Sequence, residues 1–183
     1  MLKAKKGRLL ISEPSLNDNV FFKSVVLLTH HNDEESIGLI LNHPTKINLN
    51  EILNDIPLSD LPIYIGGPVE KQSLHFIHTL GSIIPNSKQI IDDIYFGGDF
   101  DTVIQLMHDK KITKNEIRFF VGYSGWEAEQ LNNEIRDDAW IVQTAKNELC
   151  MNYSTPKLWS DIIKTKKMEH AIWANMPKDP SLN

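Results

Sequence analysis

The sequence predicts an α+β fold built around a mostly antiparallel or mixed sheet, and three observations lead to this prediction. Short apolar runs rich in β-branched residues recur along the chain and end at turn residues. Helical patterns are interspersed irregularly, without the steady alternation of strands and helices that a doubly wound parallel sheet requires. The 183 residues are 41% hydrophobic and 23% charged, as in an ordinary globular protein. We therefore expect residues 1–183 to form a single domain.

The first third of the chain predicts three strands. Residues 8–12 form a short apolar run that ends at Glu13 and Pro14. Residues 21–30 contain a nearly continuous apolar stretch, which is typical of a strand buried on both faces. A second such run covers residues 36–41, and the polar residues between the two runs indicate a hairpin.

The middle of the chain predicts two helices and three more strands. Apolar residues at helical spacing favour a short helix over residues 48–56, which Pro57 ends. The expected strands cover residues 63–65, 73–80 and 89–96. A second helix follows the Gly-Gly-Asp turn, with Asp99 or Asp101 as its cap.

The last third predicts two strands and further helices. Strands are expected over residues 116–121 and 139–142. Thr155 and Pro156 are suited to the cap and the first turn of a helix, and a short final helix is expected over residues 169–175.

The most distinctive stretch of the chain reads, in order, Gly122, Tyr123, Ser124, Gly125 and Trp126. It lies between a strand and a predicted helix, as the G-x-S-x-G nucleophile elbow does. Trp126 occupies the position where that motif needs its second glycine, so the stretch does not fit a nucleophilic serine.

A helix cap accounts for this stretch better. Ser124 and Glu127 fit the S-x-x-E capping box, in which the serine hydroxyl and the glutamate carboxylate each accept from the other residue's amide. We therefore predict a helix over residues 124–136 that Ser124 caps. The amides at its start offer an anion site as an alternative, which the acidic Glu127 and Glu129 weaken.

The remaining polar motifs do not form a standard catalytic, nucleotide or metal site. Gly66 and Gly67 precede Pro68 in a sharp turn, but the stretch lacks the pattern of a phosphate-binding loop. His75 and His78 are three residues apart on a predicted strand, where their side chains diverge. We expect neither a metal nor a cofactor.

Composition narrows the classes of partner. The net charge is −5 and the pI about 5.8, which disfavours nucleic acid as a partner. The densest basic run, residues 164–167, has three lysines and reads as a solvated helix end. The single cysteine, Cys150, suits a reducing compartment and is expected to be buried. Neither a signal peptide nor a membrane span is recognisable, so we expect a cytoplasmic protein.

The order and spacing of several short motifs resemble the YqgE/AlgH family of small bacterial proteins. The resemblance covers residues 7–183. Its motifs are residues 23–28, 31–32, 38–44, 66–69, His78, residues 122–126, Gln130 with Leu131, Glu134 with Ile135, Trp140 and Trp159. The chain departs from the family pattern at Glu129, where glycine is common, and at Lys23, where arginine is frequent. Some family members have alanine in place of Ser124.

The resemblance implies a fold and a label, but no reaction. The fold is a curled, bifurcated sheet that forms a pseudo-barrel flanked by helices. The label is that of a transcriptional regulator, which reports a genetic effect. The family has no established catalytic residues to carry over to this chain.

Together these observations predict a non-enzymatic regulatory or accessory protein whose partner is a protein or a small ligand rather than DNA. The residues predicted to bind a ligand are polar or glycine positions at turns and strand ends, namely His31, Asn42, Gly66, Gly67, His78, Tyr123 and Ser124. The residues predicted to be structural are Gly122, Gly125, Trp126, Glu127, Gln130 and Trp140. The alternative is a small hydrolase that uses His31, His78, Tyr123 and Ser124, provided that their side chains converge.

Overall fold

The computed structural model describes residues 2–13, 20–54, 56–57, 61–151 and 157–165. The strands are β1 (Arg8–Ser12), β2 (Val25–His31), β3 (Glu35–Ile40), β4 (Pro44–Asn48), β5 (Pro62–Ile65), β6 (Val69–His78), β7 (Lys88–Ile91), β8 (Ile94–Phe96), β9 (Ile117–Glu127) and β10 (Trp140–Thr144). The α-helices are α1 (Phe100–His108), α2 (Gln130–Arg136), α3 (Asn147–Met151) and α4 (Leu158–Lys164).

The strands form a strongly curled half-barrel, so the α+β prediction is confirmed. The main path of the sheet runs β10-β1-β2-β3-β9-β6-β8-β7, and β5 joins it by pairing with both β4 and β9. The β5–β9 pair is parallel and the other pairs are antiparallel. The predicted hairpin is present as β2 and β3.

β9 joins the two halves of the sheet. Its first half pairs with β5 on one side and β6 on the other, from Ile117 to Val121. Its second half pairs with β3, from Ser124 to Glu127. The buried apolar side chains of β9 are Ile117, Phe119, Phe120 and Trp126, and Arg118 and Ser124 are buried polar residues on the same strand.

Three clusters of buried apolar residues form the core. The first cluster packs one face of the sheet against α3 and α4, where Trp159 is fully enclosed and its indole donates to the Ser12 carbonyl at 2.9 Å. The second cluster packs β6 and β9 against α1. The third packs β1, β2 and β3 against α2.

Arg118 on β9 is buried between elements that are distant in sequence. Its guanidinium donates to the carbonyl of Leu41, at 2.6 Å, and to the carbonyl of Cys150. It also lies over the Tyr64 ring, 4.3 Å from the ring centroid. These contacts connect β9 to β5, to the end of β3 and to α3.

Two predictions about the middle of the chain are wrong. In the described part of residues 48–56 the only helix is one 3-10 turn, Leu49–Glu51, because Asn48 ends β4 and the Leu49 amide donates to the Leu61 carbonyl at 2.9 Å. Residues 89–96 form no single strand but the hairpin of β7 and β8, which Asp92 turns with a φ of 43°. In both places strand pairing overrides the local pattern.

The helices predicted after the Gly-Gly-Asp turn and near the end of the chain are present as α1 and α4. Asp99 caps α1, and its side chain accepts from the Asp101 amide at 3.2 Å. α4 is present, while its predicted cap at Thr155 and Pro156 and the predicted helix over residues 169–175 lie outside the described residues. In the described ranges, no helix combines the length and the apolar character needed to cross a bilayer.

Candidate functional site

The turn between β5 and β6 crosses β9 so closely that only glycine fits. The Gly66 amide donates to the Val121 carbonyl at 2.8 Å. A Cβ on Gly66 would lie 2.2 Å from the Gly122 oxygen, and a Cβ on Gly67 would lie 2.2 Å from the Tyr123 oxygen. Gly122 has a φ of 67°, in the left-handed region that favours glycine. We call this crossing of residues 66–67 over residues 122–124 the glycine junction.

Ser124 lies in this junction as a strand residue, and the prediction that it caps a helix is wrong. β9 continues to Glu127, and Gly38 and Ser36 on β3 pair with Ser124 and Trp126. The Ser124 hydroxyl is fully buried and donates to the Gly66 carbonyl at 3.0 Å. Because β9 has sheet partners here, this stretch is not available to start a helix.

The helix that follows is α2, which begins six residues later than predicted, at Gln130. Its N-cap position is Glu129, with a φ of 58° and no side-chain cap bond. The capping box around Glu127 does not form. Instead, the Glu127 amide donates to the side-chain oxygen of Gln130 at 3.1 Å, so Gln130 supplies the acceptor that Ser124 was predicted to supply.

Glu134 on α2 ties the helix to two strands. Its Oε2 accepts from the Trp126 indole at 2.9 Å and from the Trp140 indole at 2.7 Å. Its Oε1 accepts from Gln130 at 3.0 Å. The two indoles pack edge to face, with ring centroids 5.9 Å apart. Trp126, Gln130 and Trp140 thus form one network around Glu134.

The predicted ligand-binding residues His31 and Asn42 make local bonds. The Nδ1 atom of His31 lies 2.7 Å from the Ser36 hydroxyl across the β2–β3 hairpin. The side chain of Asn42 accepts from the Val25 amide and donates to the Lys23 carbonyl, both at 2.8 Å. Asn42 therefore satisfies the backbone where β2 begins.

His78 is buried in a neutral form at the other end of β6. Its Nδ1 accepts from the Leu80 amide at 3.1 Å, and its Nε2 lies 2.8 Å from the Gly97 carbonyl, to which it donates. Burial lowers the pKa of His78, although the Gly97 hydrogen bond opposes that shift. Because one ring nitrogen of His78 accepts a hydrogen bond and the other donates one, the imidazole is uncharged.

The structure brings some of the predicted site residues together and separates others. Gly66, Gly67, Tyr123 and Ser124 meet at the glycine junction. His78 pairs with Ile117, six residues before Tyr123 on β9, so it lies roughly 20 Å along the strand from that junction. A His78–Ser124 catalytic pair is therefore out of hydrogen-bond reach.

A cleft of about 340 Å³ opens beside the glycine junction. We call it the His43 cleft, and its described lining consists of four apolar residues, a glycine, an imidazole and an ammonium: Val20, Ile65, Pro68, Val121, Gly67, His43 and Lys71. Ile65 remains 40% exposed, although it ends a strand whose central residues are buried. The volume is at the lower end of the range for small-molecule sites.

The His43 cleft combines an apolar wall with nitrogen-bearing side chains. The backbone carbonyl of His43 accepts from the Ile65 amide at 2.8 Å. The Nε2 atom of the His43 ring lies 3.3 Å from the Ser24 hydroxyl. The first contact holds the His43 backbone against β5, and the second places its ring beside Ser24, which directly precedes β2. Such an arrangement can hold a compact ligand, but the hydroxyl beside this imidazole, on Ser24, is fully buried and is not accessible to a substrate.

Of the predicted ligand-binding residues, only Gly67 lines this cleft, and the prediction missed His43, Ile65 and Lys71. His43 directly precedes β4, Ile65 ends β5 and Lys71 lies on β6. The one local signal was an apolar residue, Ile65, directly before a glycine turn. Pairing of β4 with β5 was not visible in the sequence.

A second, more open depression lies at the far end of β9. We call it the acidic groove; its polar rim carries Glu34, Glu35 and Glu127, and its wall includes Tyr123 and Trp126. Glu35 and Glu127 are direct cross-strand neighbours, and like charges so placed repel each other. Within the described parts of the chain, no three acidic, histidine or cysteine side chains are arranged to hold a metal ion.

Cys150 is fully buried in the cluster that packs α3 and α4 against the sheet. Burial raises the pKa of its thiol to about 12, against the opposing effect of the nearby Arg118 charge. The thiol is therefore neutral and packs as a small apolar group.

The relatives of this chain match it from end to end. A "UPF0301 protein BF2109" of Bacteroides fragilis is 39% identical over 179 residues, which is 97% of this chain and 91% of that protein. A UPF0301 protein of Chlorobaculum parvum is 36% identical over 183 residues, covering 100% of this chain and 97% of that protein.

Two solved structures share the fold. Protein DIP2367 of Corynebacterium diphtheriae matches with a TM-score of 0.76 at 20% identity, over 96% of this chain and 94% of its own. The AlgH protein of Pseudomonas aeruginosa matches with a TM-score of 0.74 at 23% identity, over 97% and 98%. The family model for DUF179, described as AlgH-like, matches residues 9–171. This chain therefore belongs to the AlgH-like family, as its motifs indicate.

Proposed function

We propose that this chain is a non-enzymatic regulatory or accessory protein that acts by binding a small ligand in the His43 cleft. We further propose that it works as a single domain in the cytoplasm, where its one buried cysteine suits a reducing compartment. The observation that carries the proposal is the cleft itself, an apolar wall faced by an imidazole and an ammonium beside the glycine junction.

Rigid surroundings support a binding role for this cleft. Gly66 and Gly67 are in backbone contact with β9, which holds one wall in place. The hydrogen bond from the Ile65 amide to the His43 carbonyl holds the backbone of these two lining residues together. A preformed cleft loses little conformational freedom when a ligand enters, which favours binding.

The hydrolase alternative has less support. Ser124 is fully buried and its hydroxyl donates to the Gly66 carbonyl, so it faces neither a base nor solvent. Ser36, which does contact His31, is only 3% exposed. A nucleophile needs both a base and access to substrate. DNA binding also has less support, because the net charge of −5 opposes it.

Amide chemical-shift mapping tests the binding role. We expect at least one of three fragments of equal size and different charge, benzoate, benzamide and benzylamine, to shift the amides of His43, Gly67, Lys71 and Val121 when added at millimolar concentration. The amides around His78 serve as an internal control, because they lie at the other end of β6. If none of the three fragments shifts the cleft amides, the proposal is wrong.

A further inference from the structure

We propose that the ligand of the His43 cleft is a small organic anion with a compact apolar group, held by the Lys71 ammonium. This inference rests on the proposed function, since it names the chemistry of the ligand that the same cleft would bind. It follows from the charges, the apolar surface and the size of the site.

The described residues that line the cleft carry charge of one sign only. No carboxylate is present among its seven described lining residues, although the protein as a whole carries a net charge of −5. Lys71 supplies a positive charge, and the imidazole of His43 is either neutral or positive. An anion therefore meets a positive charge here with no carboxylate among the described lining residues to oppose it.

Lys71 is available for a ligand. Its side chain is exposed, and no carboxylate of the described residues lies within ion-pair distance of its ammonium. The nearest acid in sequence, Glu70, accepts instead from the Ser73 hydroxyl at 3.1 Å. The position of Lys71 on β6, directly beside the glycine junction, aligns it with the apolar wall.

The apolar wall sets the second requirement for the ligand. Ile65, Pro68 and Val121 line the cleft, and Ile65 and Pro68 are exposed to solvent. Covering this surface favours a ligand with an apolar body. The volume of about 340 Å³ limits that body to a compact group.

The acidic groove supplies an internal contrast. Glu34, Glu35 and Glu127 line it, so the same anion is repelled there. The two depressions both touch β9 and its neighbours but carry opposite charge. An anionic probe should therefore perturb amides at the His43 cleft and leave those of the groove unchanged.

Affinity measurements with matched probes test this inference. Benzoate and benzamide have nearly the same shape and differ in charge, so we expect benzoate to bind about fivefold more tightly, as for a partly exposed ion pair. Added salt should reduce that difference by screening. Phenyl phosphate, measured in parallel, shows whether a phosphate or a carboxylate is the better head group.

Two lysine variants assign the effect. Lys71→Met keeps the length of the side chain and removes the charge, and it should abolish the preference for benzoate. Lys46→Met is the matched control, because Lys46 is an exposed lysine on β4 outside the cleft lining. Thermal melts of both variants check that they are folded.

The outcomes separate this inference from the proposed function. Equal binding of benzoate and benzamide, or an unchanged preference in Lys71→Met, would overturn the anionic ligand while leaving the cleft as a binding site. Absence of binding by every probe would instead count against the binding role itself. A benzoate preference that Lys71→Met removes and Lys46→Met retains is the result we expect.

Discussion

At the scale of single residues, Gly122 combines a left-handed backbone with a close approach to neighbouring carbonyl groups. Its φ of 67° is one that side chains rarely adopt, and its Cα faces two carbonyl groups. A Cβ there would lie 2.7 Å from the oxygens of Gly67 and Val69. The motif that looks like a serine elbow in the sequence is thus a backbone crossing, and its glycines serve packing.

We predict that Gly122→Ala destabilises the protein by about 3 kcal/mol, because left-handed strain adds to the displacement of two carbonyls. Gly97→Ala is the matched control: Gly97 has a φ of 60° but no atom within 4 Å of the added Cβ. The control should lose only about 1 kcal/mol, the cost of the left-handed conformation alone. Urea unfolding measures both values, and equal losses would argue against the close crossing.

At the scale of elements, α2 is anchored by one carboxylate. Glu134 accepts from indoles on β9 and on β10, so a helix of seven residues is held to two strands that are not neighbours in the sheet. Leu131 and Ile135 add the apolar contact beneath. The network explains why both Trp126 and Trp140 are buried in spite of their polar indole nitrogens.

We predict that Glu134→Ala destabilises the protein by about 2–3 kcal/mol, because it leaves two indole donors without their charged acceptor. Glu134→Gln keeps a carbonyl that can accept two hydrogen bonds, and it should lose about 1 kcal/mol. Denaturant unfolding followed by tryptophan fluorescence measures both. An alanine variant as stable as the glutamine variant would refute the anchoring role.

Elements were predictable where their signal is local. Buried strands such as β2 and β3 are continuous apolar runs, and α1 has both its cap and its apolar face in sequence. The S-x-x-E pattern at Ser124 is also local, and it predicted a helix start that does not form. The strand residues that pair with this part of β9 lie on β3, about 90 residues earlier in the sequence, so they are not visible in the local pattern. The same competition shortened the helix predicted over residues 48–56.

At the scale of the whole molecule, the curled sheet creates the candidate site. β9 pairs with β3, β5 and β6, and these pairings bring Ile65 of β5, Lys71 of β6 and Val121 of β9 to one cleft. His43 and Lys71 are 28 residues apart in sequence and share no motif. A site assembled by tertiary pairing in this way could not be read from sequence spacing, whereas the turn at Gly66 and Gly67 beside it could.

The central claim is that the His43 cleft binds a ligand, and filling the cleft tests it most directly. Ile65→Trp places a larger ring on the exposed wall, while Ile47→Trp makes the same change at a comparably exposed position on β4 outside the lining. We predict that Ile65→Trp weakens benzoate binding about tenfold or more and that Ile47→Trp leaves it unchanged. Benzoate affinity that is the same in Ile65→Trp as in the unmodified protein would contradict the assignment of the cleft.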